Sequence, residues 1–149
     1  MTDDSSNLGE VTITRIYQAP PKVMFECMTN PEHLTHFWGP KGASTPIGNI
    51  TVEPRPGGKF ETIMVDDASG SEFPMRGVFI EFDPPHRLVW TEAGAEGGMV
   101  TSVTFSDLGG GRTETVVNQS NVPMQLLTPE SQAGMLSSFD KMAAYLATL

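Results

Sequence analysis

Residues 11–17 alternate β-branched and polar side chains, the period of a half-buried strand. Pro20 and Pro21 stop that strand, and they can open a helix because its first N–H groups need no partner. Val23, Met24, Cys27 and Met28 then fall on one helical face. Asn30-Pro31-Glu32 restarts the pattern, with Asn30 placed to cap, Pro31 at the first helical position and Glu32 at the positive helix end. Leu34, Phe37 and Trp38 give this second short helix its apolar face, and Gly39-Pro40 ends it. A polar, Gly- and Pro-rich stretch covers 41–48. Short alternating runs then predict strands over 50–53, 59–65, 73–82, 87–92, 99–105 and 112–120, the run at 73–82 being the longest. Turn residues at 54–58, 66–70, 83–86 and 107–111, and a Gly-rich loop at 93–98, separate them.

The last segment changes period. Thr128 is placed as an N-cap, Pro129 as the first helical residue and Glu130 against the N-terminal dipole. Met135, Leu136, Phe139, Met142, Ala143, Leu146 and Leu149 recur at three- and four-residue steps, an apolar stripe of about five turns. Such a stripe has to be buried, and the sheet is the large partner available. Hairpin-length connections make the strands antiparallel. The reading is therefore an α+β domain over 10–149: a curved antiparallel sheet of about seven strands wrapped around a long C-terminal helix, with two short helices after the first strand. Residues 1–9 read as a solvated tail.

Charge and cysteine usage narrow the setting. Acidic side chains outnumber basic ones 18 to 9, for a formal charge of -9. A surface that negative repels phosphate backbones, so no nucleic-acid partner is assigned. The one cysteine cannot form an intramolecular disulfide, and a reducing cytoplasm is the simplest home. The first residues lack a basic then apolar pattern, so no signal peptide is read, and no apolar run approaches the ~18 residues of a membrane span.

Beyond the general pattern, Phe37-Trp38-Gly39-Pro40, residues 55–60 (Arg-Pro-Gly-Gly-Lys-Phe) and residues 82–91 (from Phe82-Asp83-Pro84-Pro85 to Trp90-Thr91) stand in a familiar order and spacing. With the C-terminal helix they resemble the family named for homologues of the activator of the heat-shock-protein-ninety ATPase, within the START-like or SRPBCC superfamily. The resemblance runs from about Val11 to Leu149. Met135 stands where that family often carries Trp, and Phe37-Trp38 where two Trp are common. The resemblance implies the helix-grip fold, in which the sheet grips the last helix around a cavity, with the two short helices as a lid. It implies less about activity, because members bind lipids, pigments or polyketides, and some catalyse cyclisation or hydrolysis.

Candidate chemistry is sparse. His33 and His36 have a chelating spacing but no accompanying ligand pattern, His86 lies in a Pro-rich turn, and both helical histidines are expected to face solvent; no metal or cofactor is assigned. Cys27 is expected as a small buried hydrophobe with nothing basic beside it. No Gly-x-Ser-x-Gly elbow is present, and no catalytic residue is assigned. The nine methionines say more, since Met adapts to irregular apolar shapes; Met64, Met75, Met99, Met124, Met135 and Met142 lie in elements bordering the sheet–helix gap. The expected cavity lining is Phe37, Trp38, Phe60, Met64, Phe79, Trp90, Met99, Met135 and Phe139. Parity puts Phe60 and Met64 on one strand face, while Phe79 and Ile80 leave their strand ambiguous. Arg76, Glu81, Glu92, Thr115 and Gln119 are the candidate polar groups. Three functions compete: a carrier or sensor for a small apolar or amphipathic molecule, a cyclase- or hydrolase-like enzyme, and an interaction domain acting on a chaperone ATPase. Oligomeric state is left open, a homodimer included.

Overall fold

A computed structural model describes residues 8–92 and 98–149. The chain runs β1 (Leu8–Tyr17), α1 (Pro21–Thr29), α2 (Pro31–Leu34), β2 (Ala43–Ser44), β3 (Ile50–Val52), β4 (Lys59–Asp66), β5 (Glu72–Asp83), β6 (Arg87–Glu92), β7 (Met99–Gly109), β8 (Arg112–Pro123) and α3 (Pro129–Leu146). One antiparallel sheet takes the order β1-β8-β7-β6-β5-β4-β2, with β3 also on β4. Both expected caps form: Ser131 N–H donates to Thr128 Oγ1 at 3.2 Å, and Glu32 N–H donates to Asn30 Oδ1 at 3.0 Å. This is the α+β helix-grip fold.

Four details depart from the pattern reading. β2 adds an eighth strand inside the polar stretch 41–48; two residues are too few to show alternation. Leu8 and Gly9, assigned to the tail, pair with Pro123 and Val122 on β8, while the rest of the expected tail and the loop residues 93–97 lie outside the described residues. β8 extends to Pro123 and matches β5 at 12 residues, because ladder pairing to β1 continues through a polar run that carries no hydrophobic signal. The tie on β5 is settled by a bulge between Phe79 and Glu81. Phe79 points inward, Ile80 is 55% exposed, and the extra residue brings Phe82 back to the inner face, edge-on to Phe79 at 5.2 Å.

The core fills the end of the sheet covered by α1 and α2. Phe25, Phe60, Phe79, Leu88, Val103 and Phe105 are buried there, and Phe25 meets Phe82 and Phe105 edge-on at 5.2 and 5.7 Å. Each such side chain contributes about 1.5–3 kcal/mol on burial. From α3 this core receives Met142 and Leu146. The apolar stripe is shorter than the five turns expected: the helix ends at Leu146, Leu149 beyond it is 64% exposed, and Leu136 is 44% exposed on the outer side. The grip is therefore tight at the C-terminal half of α3 and loose at its N-terminal half. Among the described residues no helix is long and apolar enough to cross a membrane.

Candidate functional site

Where the N-terminal half of α3 passes over the sheet, the two surfaces leave a groove of about 800 Å³ between them. Ligand sites commonly occupy roughly 300–1,000 Å³. On β4, β6, β7 and β8 every second residue faces the groove, as the pleat requires, while Phe73, Pro74 and Met75 of β5 all border it. Thr62 and Met64 come from β4, Phe73 and Met75 from β5, Trp90 and Glu92 from β6, Thr101 and Val103 from β7, and Val117 and Gln119 from β8. The helix supplies Gly134, Met135, Ser138 and Phe139, and Trp38, Gly39 and Pro40 close one end. Phe73 and Leu126, at the mouth, are 51% and 43% exposed.

The closing segment is held in place. Trp38 Nε1 donates to Thr62 Oγ1 at 3.2 Å, and the indole packs edge-on to Phe60 at 5.3 Å. Thr45 Oγ1 donates to the Trp38 carbonyl at 2.9 Å. Lys141 reaches back from α3 and donates to the carbonyls of Gly39, Pro40 and Ala43 at 3.2, 3.4 and 3.2 Å. Partial burial pushes its ammonium below the ordinary lysine value, and the negative charge of Asp67 pulls it back up. Lys41 N–H donates to Ser137 Oγ at 2.9 Å. The segment after α2 is thus tied to α3, while the two short helices expected as a lid cover the closed end of the sheet instead and contribute Met28 to the groove wall.

Beneath the groove lies a small void of about 40 Å³, bordered by Tyr17, Met24, Phe37 and Thr115 and sharing six wall residues with the groove, among them Trp38, Val103, Val117 and Phe139. Of the buried threonines, Thr45, Thr62, Thr101 and Thr113 have hydrogen-bond partners; Thr115 Oγ1 has none among the described residues. Burial pushes the Tyr17 phenol up to about 12, so it stays neutral.

The groove's polar side is uneven in charge. Glu92 projects into it without a hydrogen bond or ion pair among the described residues, and burial raises its carboxyl above the usual range. Gln119 Nε2 donates to Thr101 Oγ1 at 3.3 Å nearby on the same face. Among the described residues Glu130 is the other charged wall residue, and no Lys, Arg or His lines the groove. Opposite Glu92 in the ladder stands Gly77, where a Cβ would lie 2.9 Å from the carbonyl oxygens of Phe60 and Thr91. Only glycine fits that close approach, and the side chain that β5 brings to this spot is the thioether of Met75, whose Sδ lies 3.4 Å from where a Gly77 Cβ would stand.

The structure brings five of the nine expected lining residues together: Trp38, Met64, Trp90, Met135 and Phe139. The other four lie elsewhere. Phe60 and Phe79 stack at 5.3 Å and 7° as fully buried core, behind Trp38 and Trp90. Phe37 turns into the small void and packs against Tyr145. Met99, the first residue of β7, is half-buried and forms no groove wall, since that strand enters the groove at Thr101. Met28, Thr62, Thr101 and Val117 were absent from the expectation. The parity of Phe60 and Met64 already places Thr62 between them on the inner face. Of the candidate polar groups, Glu92 and Gln119 line the groove and Thr115 the void; Arg76 is exposed, and Glu81 pairs with Arg87 at 3.0 Å. His33 is half-buried rather than solvent-facing: its Nδ1 shares a hydrogen bond with Tyr145 Oη at 2.6 Å, while His36 stacks on the same ring at 4.8 Å. Cys27 is buried, and burial pushes its thiol up to about 11, away from the thiolate a nucleophile needs.

Comparison with known proteins adds kinship. The family model described as Activator of Hsp90 ATPase homolog 1-like protein matches residues 18–147. No curated protein matches by sequence. Among solved structures, a protein from Chromobacterium violaceum superposes with a TM-score of 0.83 at 23% identity, covering 91% of this chain and 96% of that one. One from Nitrosomonas europaea gives a TM-score of 0.80 at 24% identity, covering 93% and 94%. An AHSA1-like protein from Aeromonas hydrophila gives 0.79 at 18% identity, covering 94% and 93%. At these identities the likeness is one of fold.

Proposed function

From the premise that the chain belongs to the Activator of Hsp90 ATPase homolog 1-like family, we propose that it binds a small apolar or amphipathic molecule in the groove between sheet and α3, as a carrier or sensor. The observation that carries this reading is the groove itself: about 800 Å³ walled mainly by Trp38, Met64, Met75, Trp90, Met135 and Phe139, against a void of about 40 Å³ in the core beneath it. Apolar surface on that scale draws an apolar guest by the same burial that folds the chain. Thioether side chains suit a guest of irregular shape. A cytoplasmic setting goes with this reading, since Cys27 is a free thiol.

The test uses the chain's own chromophores. Both tryptophans, Trp38 and Trp90, stand in the groove wall, so a guest there alters intrinsic fluorescence directly. Nile red, a neutral apolar dye, is expected to bind, to quench tryptophan emission, and to be displaced by lipid extract. Gly134→Leu fills the groove from the helix side, where even a Cβ meets Pro40 Cβ at 3.6 Å. It also replaces a helix-interior glycine, so it does not threaten folding. Dye binding should fall at least tenfold in this variant; binding unchanged by it would place the dye elsewhere and remove the proposal. A cyclase- or hydrolase-like activity in the same groove has Glu92 in its favour as a carboxyl of raised pKa. A chaperone-ATPase role draws on the family description alone.

A further inference from the structure

Resting on the groove-binding reading, we infer the class of ligand: an apolar body carrying a protonated amine, whose ammonium hydrogen-bonds the Glu92 carboxylate. Among the described residues the groove wall holds two carboxylates, Glu92 and Glu130, and no basic side chain. Glu92 is drawn into the apolar wall between Trp90 and the end of β6, and no donor of the described chain meets it. An ionised carboxylate accepts at up to four lone-pair sites, and one left without donors in a half-buried site loses hydration without compensation. A guest that brings N–H donors and positive charge supplies what the fold withholds. Beside Glu92 the ladder sets no donor: Gly77 stands opposite on β5 with the flexible Met75 thioether over it, and Met99 opposite on β7, while Thr101, diagonal to Glu92 on the same face, offers a hydroxyl as a second polar contact. A fatty acid meets the reverse situation: its carboxylate would be desolvated beside two like charges with no cation to pair it. The apolar end of an amine would lie over Val103, Val117 and Phe139.

Three guests of equal chain length decide the matter on the wild-type protein: decylamine, decanol and decanoate, titrated by calorimetry at pH 7 with tryptophan emission read in parallel. The expected order is amine tightest, decanol weaker by roughly tenfold or more, as for a hydrogen bond to a charged group, and decanoate weakest. Glu92→Gln keeps the side-chain shape and should bring the amine to the level of decanol. General attraction of cations to an acidic surface survives that substitution almost intact, so an amine preference retained in Glu92→Gln overturns the inference. Equal binding of all three guests, or decanoate binding tightest, also overturns it while leaving an apolar binding groove. Binding of none of them overturns both the inference and the function on which it rests.

Discussion

Two polar side chains on the inner face, Glu92 and Thr115, stand without protein partners among the described residues, and each makes a testable difference to stability. The Thr115 hydroxyl is buried against an apolar void. Thr115→Val keeps the shape and removes the stranded group, whose burial costs about 1–3 kcal/mol. Scanning calorimetry should show Tm rising by roughly 2–12 °C, at about 2–4 °C per kcal/mol; a fall of several degrees would mean that the hydroxyl is satisfied in solution. Glu92 acts through pH. Its carboxyl is raised by burial. Below the ordinary glutamate value, about 4.3, it is protonated in folded and unfolded chains alike. As pH rises the unfolded chain ionises first, so the stability tied to the neutral carboxyl is lost as pH passes through the raised value. Glu92→Gln should therefore raise Tm over wild type at pH 7 and match it near pH 4. An equal gain at both values would trace the effect to something other than ionisation. Phe60 tests depth: as core rather than groove wall, its change to Ala should cost about 3–5 kcal/mol by denaturant titration. A loss under 1 kcal/mol would return it to the groove wall.

At the scale of elements, α3 and the segment 39–43 behave as one unit because Lys141 holds three carbonyls of that segment. Lys141→Met keeps the apolar stem and removes the ammonium. Hydrogen exchange at Ala43 N–H, which donates to the Pro40 carbonyl at 3.0 Å, should accelerate about tenfold, as for loss of roughly 1–2 kcal/mol of local stability. Unchanged exchange would mean that the Lys41 N–H bond to Ser137 Oγ suffices. The elements themselves were legible from local chemistry: Thr128-Pro129 and Asn30-Pro31 mark their helix starts at the residues where the caps form. The groove wall was legible only in part. A period of two assigns Phe60, Thr62 and Met64 to one face, but it carries no information on how far along the strand the core stops and the open space begins. Phe60 fell on the closed side of that line and Met64 on the open side. The bulge after Phe79 was hidden for a related reason, since Phe79 and Ile80 are equally apolar and their order alone cannot say which the sheet turns outward. The carbonyl contacts of Lys141 leave no local signal, since they form only once the chain brings residues about a hundred positions apart together.

At the scale of the whole molecule, one asymmetry organises the rest: the sheet closes on Met142 and Leu146 and opens before Phe139 and Met135. The closed end supplies the stability of the domain and the open end supplies its surface for a guest. The methionine methyl groups sample both ends. A carbon-13 methyl-methionine spectrum titrated with decanol therefore reads the division directly. The expected result is that Met28, Met64, Met75 and Met135 shift in proportion to occupancy while Met24, fully buried in the core at the closed end, stays still. Saturating decanol that leaves those four resonances unmoved, or that moves Met24 as far as Met64, would contradict a groove open at this end of the sheet.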